Sequence, residues 1–464
     1  MIIRKEDIVE LWVEKLAFGG EGIARIDGFV VFVKGAVPGD RILAKIIKKR
    51  KGYANAVIHE LIDPSSERTN APCPYSGYCG GCNYQHLEYE YQLRYKREQV
   101  VDSITRIGAL KDVKVNEVIP SDNIFEYRNK MEFSFSDRRW ILPEEYNKDE
   151  KNYGFALGLH VPGTFYKVID VDMCLLQHKA GNAILKSVKQ YVQETGIPAY
   201  GLKSHKGFWR FLTLRYSEAF DQWMVNIVTS DNGYDLIKPL AEKLHNQFDN
   251  IVTVINNISR KKAAIALGEE EEVITGDGCI KENIGPYIFR ISANSFFQTN
   301  TSGAEKLYDK VLEYADLNKS ETVIDLYCGT GTIAIYLSKY AREIVGMEIS
   351  ENAVSDARLN CQLNRVSNCS FIHGDIKDTI SSLTFKPDVL IIDPPRTGMH
   401  KDIIGQIINM GIKKIVCVSC NPATMARDME ILAEKYEIRE IQPVDMFPHT
   451  YHIESVAKLV RKKD

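Results

Sequence analysis

The last third of the chain constrains its fold most. From about residue 300 onward, short apolar runs alternate with helical stretches, the pattern of a parallel sheet with crossover helices. Val323-Ile-Asp-Leu-Tyr-Cys-Gly-Thr-Gly-Thr332 reads as an apolar strand entering a glycine turn, with a helix over Ile333–Lys339. Gly329 and Gly331 would let a ligand approach the backbone at a new helix N-terminus. The next strand, Ile344–Met347, ends in Glu348, 17 residues past Gly331. A carboxylate there can accept both hydroxyls of a ribose. Asp375 follows a third strand, and Asp393 follows a fourth in Val389-Leu-Ile-Ile-Asp-Pro-Pro395. Parallel strands bring these tips to one rim, where a row of acids suits a nucleoside carrying a cationic sulfonium. A third glycine in dinucleotide spacing and a P-loop lysine are both missing, so S-adenosylmethionine fits better than a pyrophosphate cofactor. Any one of these acids could merely cap a helix; the ordered set argues for a ligand.

A fifth strand, Lys414-Ile-Val-Cys-Val-Ser-Cys420, ends in a thiol on the same rim, followed by Asn421-Pro422. A thiol at a strand tip is placed to react, whereas Cys417, inside the apolar run, reads as packing. Phe447-Pro-His-Thr-Tyr-His452-Ile-Glu454 brings two histidines and a carboxylate to the start of a last strand. A cysteine, cofactor acids and a late glutamate together suggest covalent methyl transfer.

Upstream the character changes. In residues 1–62, short β-rich runs (Ile8–Val13, Gly28–Val33, Arg41–Ile47) alternate with glycine turns, which suggests a small OB-like barrel. This part holds 11 basic and 8 acidic side chains, although the 464-residue chain has a net charge of −3. The run Lys48-Lys-Arg-Lys51 with Tyr53 offers phosphate-binding charge beside a stacking ring; a solubilising loop is the plainer reading. Asp63–Ser66 resembles a linker, and Glu88–Ile107 has a helical pattern. Between about 117 and 290 lie several β-like runs, and the acidic stretch Glu269–Glu272 reads as part of a turn. Phe133, Phe135 and Trp209 are stacking candidates, with core packing the better fit for most. The expected organisation is therefore a barrel over 1–62, a central mixed α+β region over 63–290, and an α/β doubly wound domain over 291–464. The helix near 88–107 is a candidate to dock on that last domain. The charged start and the lack of a long apolar run point to a cytoplasmic protein. No obligate protein partner is implied.

Ten cysteines in a chain this long do not read as a disulfide framework. Three crowd into Cys73-Pro-Tyr-Ser-Gly-Tyr-Cys79-Gly-Gly-Cys82, with glycines that would let the backbone wrap a bulky inorganic core. A fourth ligand is needed. Four thiolates suit a [4Fe–4S] cluster or zinc, and zinc sites more often show two short cysteine pairs.

Taken together these motifs resemble the RNA 5-methyluridine methyltransferase family, and more narrowly its 23S ribosomal RNA branch with an N-terminal TRAM domain and an iron–sulfur cluster. The resemblance rests on Cys73-x5-Cys79-x2-Cys82, Ser295-Phe-Phe-Gln298, Asp325-Leu-Tyr-Cys-Gly-Thr-Gly331, Asp393-Pro-Pro-Arg396, Ser419-Cys-Asn-Pro422 and His449-x2-His452-x-Glu454. It implies a class I, Rossmann-like methyltransferase domain with Cys420 as nucleophile and Glu454 as general base. Gln298, Tyr327, Glu348 and Asp393 would line the methyl-donor site, with Asp375 a further contact. Cys174 becomes the fourth cluster ligand, and Thr332, where some relatives carry Asn, has no assigned role. The implied partner is RNA, ribosomal by analogy with that branch and transfer RNA as the alternative. Carbon 5 of uracil is a weak nucleophile. Adding a thiolate to carbon 6 turns one hard step into two easier ones, so the site should lower the Cys420 pKa or deprotonate the thiol on attack. Two rivals remain. Asp-Pro-Pro also serves enzymes that methylate exocyclic amines, but there an aromatic follows it, whereas Arg396 follows here. A non-catalytic iron–sulfur RNA-binding protein would have no use for Cys420 and Glu454.

Overall fold

The computed structural model describes residues 3–146, 153–381, 383 and 385–463. Its first five strands are β1 (Ile8–Leu16), β2 (Gly22–Ile26), β3 (Phe29–Lys34), β4 (Arg41–Lys49) and β5 (Tyr53–Asp63). They close into a barrel in the order β1-β2-β3-β5-β4. Alternation dictates the inside: Ile42, Ala44 and Ile46 of β4 are buried between more exposed neighbours, and Ala24, Val31, Val33, Ala54 and Ala56 meet them. Together these side chains help make up the core of the barrel. The run Lys48–Lys51 forms the exposed end of β4 and its turn into β5.

Helix α1 (Tyr89–Arg106) and the short strand β6 (Lys114–Val115) follow. A seven-stranded sheet then forms from β7 (Lys130–Ser136), β8 (Ala156–His160), β9 (Val168–Asp170), β10 (Trp209–Ser217), β11 (Gln222–Thr229), β12 (Ile251–Ile258) and β13 (Glu270–Thr275). Its order is β13-β12-β11-β10-β7-β8-β9. Helices α2 (Lys179–Thr195) and α3 (Tyr234–Gln247) contribute Ile184, Leu185, Val188, Ile237, Leu240 and Leu244 to its core. Phe133, Phe135 and Trp209 lie in that core. The acidic stretch read as part of a turn instead forms edge strand β13, paired with β12. Salt bridges from Arg260 to Glu270 and from Lys261 to Glu269 offset its charge, so tertiary pairing overrides weak β-propensity.

A hairpin, β14 (Cys279–Ile284) with β15 (Tyr287–Ser292), precedes α4 (Thr301–Ala315). The remaining elements are β16 (Thr322–Leu326), α5 (Thr332–Leu337), β17 (Glu343–Glu348), α6 (Glu351–Leu363), β18 (Cys369–His373), α7 (Ile376–Ser381), β19 (Val389–Ile392), α8 (Lys401–Met410), β20 (Lys414–Ser419), α9 (Pro422–Leu432), β21 (Tyr436–Val444) and β22 (Glu454–Arg461). Their sheet runs β18-β17-β16-β19-β20-β22-β21-β6. The five strands β16 to β20 are parallel, while β22 runs antiparallel to both neighbours. Strands such as Val389–Ile392 are buried throughout because helices cover both faces. Residues from α4, α5 and α6 pack one face, and residues from α1, α8 and α9 pack the other.

Two elements cross the expected domain limits. Strand β6, far upstream, forms the outer edge of this sheet by pairing with β21, and α1 packs Val100 and Ile104 into the same core as Met425, Ala426 and Met429 of α9. The expected boundary at 290 falls inside β15, whose Phe289 and Ile291 belong to the core of this last sheet. Among the described residues no helix is long and apolar enough to cross a membrane.

Candidate active site

The C-terminal tips of β16 to β20 form the rim where side chains of different strands meet, as open α/β sheets dictate. After β16 the chain turns sharply. Tyr327 adopts φ 62°, a conformation costly for a residue with a Cβ, and Gly329 and Gly331 follow at 53° and 75°. A Cβ on Gly331 would lie 2.8 Å from the Phe371 ring, so this position excludes any side chain. Gly331 then starts α5. Glu348, at the tip of β17, accepts the Gly329 N–H at 3.1 Å and the Ser350 N–H at 2.9 Å. Asp375 lies exposed on the rim, accepting the Lys377 N–H at 2.9 Å and bearing electrostatically on Tyr327. Burial pushes the Tyr327 phenol up to about 12. Gln298 precedes α4, and its carbonyl accepts the Asn129 side chain at 3.0 Å.

Asp325 is the residue that sequence reasoning passed over, although it opens one of the quoted motifs. Its carboxylate is 1% exposed, and among the described residues only the Ala334 backbone N–H approaches it, too poorly aligned to satisfy either oxygen. Burial holds it protonated well above the ordinary range, and Asp393 and Glu348 reinforce that. Burial alone lifts Asp393 to about 6.

The opposite half of the rim carries the thiol. Strands β20 and β22 pair antiparallel with Ser419 opposite Ser455, and continuing that register sets Cys420 opposite Glu454. The turn is locked locally: the Asn421 N–H donates to Ser419 Oγ, the Asn421 side chain caps α9, and Pro422 occupies its first turn. Glu454 is 6% exposed; burial raises its pKa to about 8, Asp393 adds to the rise and Arg396 opposes it. Burial and the Glu454 carboxylate raise Cys420 to about 11, against a lowering hydrogen bond and charge from Arg396. The resting thiol is thus protonated. Of the two sequence expectations, lowering its pKa is not what the fold does, and deprotonation on attack remains. Arg396 is held by its carbonyl, which accepts from Asn421 Nδ2 and Thr424 Oγ1.

Helix α1 braces this half from behind. Lys96, fully buried, places Nζ 2.6 Å from Asp445 Oδ1 and 3.0 Å from the Phe447 carbonyl. Gln92 accepts the His449 N–H at 2.9 Å and approaches its Nδ1 at 3.2 Å. His449 itself adopts φ 65° and stacks on Phe125 at 4.3 Å. Burial lowers both His449 and His452 to about 4, so both are neutral. His449 is a structural post, whereas His452 feels the charge of Arg396.

Away from the rim, Cys73, Cys79, Cys82 and Cys174 line one cavity of about 320 Å³. The Gln85 side chain donates to Cys82 Sγ at 3.2 Å and the Gly81 N–H to Cys79 Sγ at 3.3 Å. Among the described residues no three His, Cys, Asp or Glu side chains converge as a single-ion site. The thiols instead stand around the wall of a space, a donor set compatible with a bulky iron–sulfur core.

A doubly wound sheet with a glycine turn after its first strand and acids at the following tips defines an S-adenosylmethionine-dependent methyltransferase. The chain belongs to the tRNA (uracil-5-)-methyltransferase family, whose model matches residues 219–462, and a TRAM domain matches residues 6–58. It is 42% identical to an uncharacterised RNA methyltransferase of Chlorobaculum tepidum, over 98% of this chain and 96% of that protein. A second such relative, from Halalkalibacterium halodurans, is 37% identical over 99% of this chain and 98% of its own. Among solved structures it resembles the Pyrococcus abyssi tRNA (uracil-54, C5)-methyltransferase in complex with S-adenosyl-L-homocysteine, with a TM-score of 0.76, 31% identity, and coverage of 97% and 99% of the two chains.

Proposed function

We propose that the protein methylates carbon 5 of a uridine in RNA through a transient bond between Cys420 and carbon 6 of the base. The observation that carries this reading is the pairing of β20 with β22, which sets a thiol against a buried carboxylate on the rim bearing the acids. S-adenosylmethionine, held by Gln298, Tyr327, Glu348, Asp375 and Asp393, would supply the electrophilic methyl group. Cys420 gives up its proton to solvent as sulfur bonds to carbon 6, which leaves Glu454 free to act later, and the ring electrons move to the carbonyl oxygen at carbon 4. Carbon 5 would then take the methyl group as its bond to the sulfonium sulfur breaks, leaving S-adenosylhomocysteine. Glu454, ionised, removes the carbon 5 proton; the carbon–sulfur bond breaks and the thiolate leaves. A base inside a helix cannot reach such a rim, so the target must be unstacked.

Glu454→Gln should accumulate a covalent protein–RNA adduct that survives denaturing electrophoresis, because the proton can no longer be removed. Cys420→Ala should form no adduct and lose methylation while still binding S-adenosylhomocysteine. If Glu454→Gln incubated with RNA and methyl donor yields no adduct, the assignment of the base is wrong.

The substrate we favour is 23S ribosomal RNA, on the basic barrel and the cysteine cavity. The likeness to the Pyrococcus enzyme favours transfer RNA as the second reading. Labelled methyl donor offered with unmodified transcripts of each decides between them. In the cavity, Cys73, Cys79, Cys82 and Cys174 would hold a [4Fe–4S] cluster, tying the 73–82 loop to the segment before α2. Anaerobically purified protein should contain iron and sulfide and lose both in Cys174→Ser; zinc in their place would overturn this assignment.

A further inference from the structure

A second cavity, of about 450 Å³, opens on the central region and shares no lining residue with the cysteine cavity. Its wall is unusual in composition. Trp140, Tyr166 and Tyr200 supply rings, and Arg138, Lys167 and Lys203 supply cations. None of these three cations forms a salt bridge with a described residue, whereas Arg139 beside them is committed to Glu145 at 2.6 Å. Lys203 Nζ stands 4.2 Å from the Tyr166 ring centre and the Arg138 guanidinium 5.5 Å from that of Tyr153, with Asp137 the one acid in the same wall among the described residues. Tyr166 is 41% exposed, and Phe165 beside it is more so. A core does not leave exposed aromatic rings and cations without salt-bridge partners in one concavity. This combination matches single-stranded nucleic acid, whose phosphates need cations and whose bases need flat partners.

The cavity is coupled to both other sites. Strand β7 begins beside the cysteine cavity at Lys130 and ends at Ser136 in the wall of the second one. Asn129, immediately before β7, bonds the Gln298 carbonyl. Tyr78, inside the cysteine loop, packs its ring 6.1 Å from Trp140 and donates its hydroxyl to Glu144. At ~3.3 Å per residue, seven residues of strand separate Asn129 from Ser136 by roughly 23 Å. That distance exceeds the reach of the target nucleotide itself.

We propose that this cavity binds an unpaired nucleotide of the substrate RNA other than the uridine that is methylated, stacking its base on Tyr166 and holding its phosphate with Lys203 and Lys167. It acts as a ruler, admitting RNAs that present a free base at the right distance from the target. The proposal rests on the RNA reading above.

The test uses the full chain, with steady-state methylation of whichever transcript accepts the methyl group and anisotropy of a labelled single-stranded oligoribonucleotide. Tyr166→Ala should raise KM for the transcript and weaken oligonucleotide binding by roughly 10-fold, within the range for losing one stacked base. Its kcat and its affinity for S-adenosylhomocysteine should stay unchanged, and Tyr166→Phe should restore wild-type behaviour. Lys203→Ala should weaken binding and flatten its salt dependence. Unchanged KM in both alanine variants overturns the proposal, as does equal loss in Tyr166→Phe. If the wild type binds oligonucleotide through Tyr166 yet methylates no uridine, the reaction is misassigned and the cavity stands.

Discussion

At the residue scale the site is built from groups held out of their ordinary states. Tyr327 and His449 sit in left-handed backbone, and Asp325, Asp393 and Glu454 are carboxyls lifted by burial. Such departures cluster where a scaffold gives up stability for chemistry. Glu454 allows the sign to be worked out. Below about pH 4.5 the group is protonated in folded and unfolded chains alike, so its burial carries no proton-linked penalty. Between about pH 4.5 and 8 only the unfolded chain ionises freely, and the fold loses stability as pH rises, by on the order of 5 kcal/mol for such a shift. Glu454→Gln should therefore melt several degrees above the wild type at pH 8 and show little difference near pH 4.5, as read by calorimetry. Activity runs the opposite way. A base that must be ionised to accept the carbon 5 proton becomes available as pH approaches 8. The rate under saturating substrates should climb about tenfold per pH unit below that value wherever proton removal limits turnover.

At the element scale, α1 holds in place the segment that leads into the last strand. It lies hundreds of residues upstream of β22, yet Lys96 and Gln92 reach across to the segment 445–449 that delivers Glu454. Lys96 and Asp445 are both wholly buried, so removing one partner strands the other charge. Lys96→Met should cost about 3–5 kcal/mol in chemical unfolding. Lys96→Met combined with Asp445→Leu should recover most of that loss. If activity does not return with stability in the double variant, the pair positions the loop as well as supporting it. The helix was legible in the sequence as a mixed-charge periodic run. Its docking on the last domain was anticipated too, but its grip on segment 445–449 was not, because a salt bridge spanning 349 residues leaves no local trace.

At the scale of the whole molecule, charge is distributed where RNA would run. The barrel turn carries Lys48, Arg50 and Lys51 in the open, without an acidic partner among the described residues, while the remainder of the chain is net acidic. If these side chains meet phosphates, replacing all three by alanine should reduce the slope of log affinity against log salt by about 2. Methyl transfer at saturating RNA should stay near the wild-type rate. Titration of a labelled transcript across salt concentrations measures both. The barrel is also anchored: Leu16 and Val37 pack with Tyr84, Leu87 and the α1 residue Tyr95, so its basic turn is carried on the same framework as Glu454.

What the sequence by itself determined is whatever depends on short-range pattern. Strand tips, the glycine turn and the Ser-Cys-Asn-Pro turn are each local, so the rim with Glu348, Asp393 and Cys420 could be placed without coordinates. Segment 269–272 was misread for the complementary reason: its acids discourage a strand, and only pairing with β12 and neutralisation by Arg260 and Lys261 make one. Tertiary structure alone decided how far each carboxyl and thiol is desolvated, and hence that Cys420 rests as a thiol and Asp325 as an acid. It also tied Lys96 and Gln92 of α1 to segment 445–449 and gathered Trp140, Tyr166 and Tyr200 into one cavity. Burial and long-range contact are properties of the packed molecule, and no window of neighbouring residues contains them.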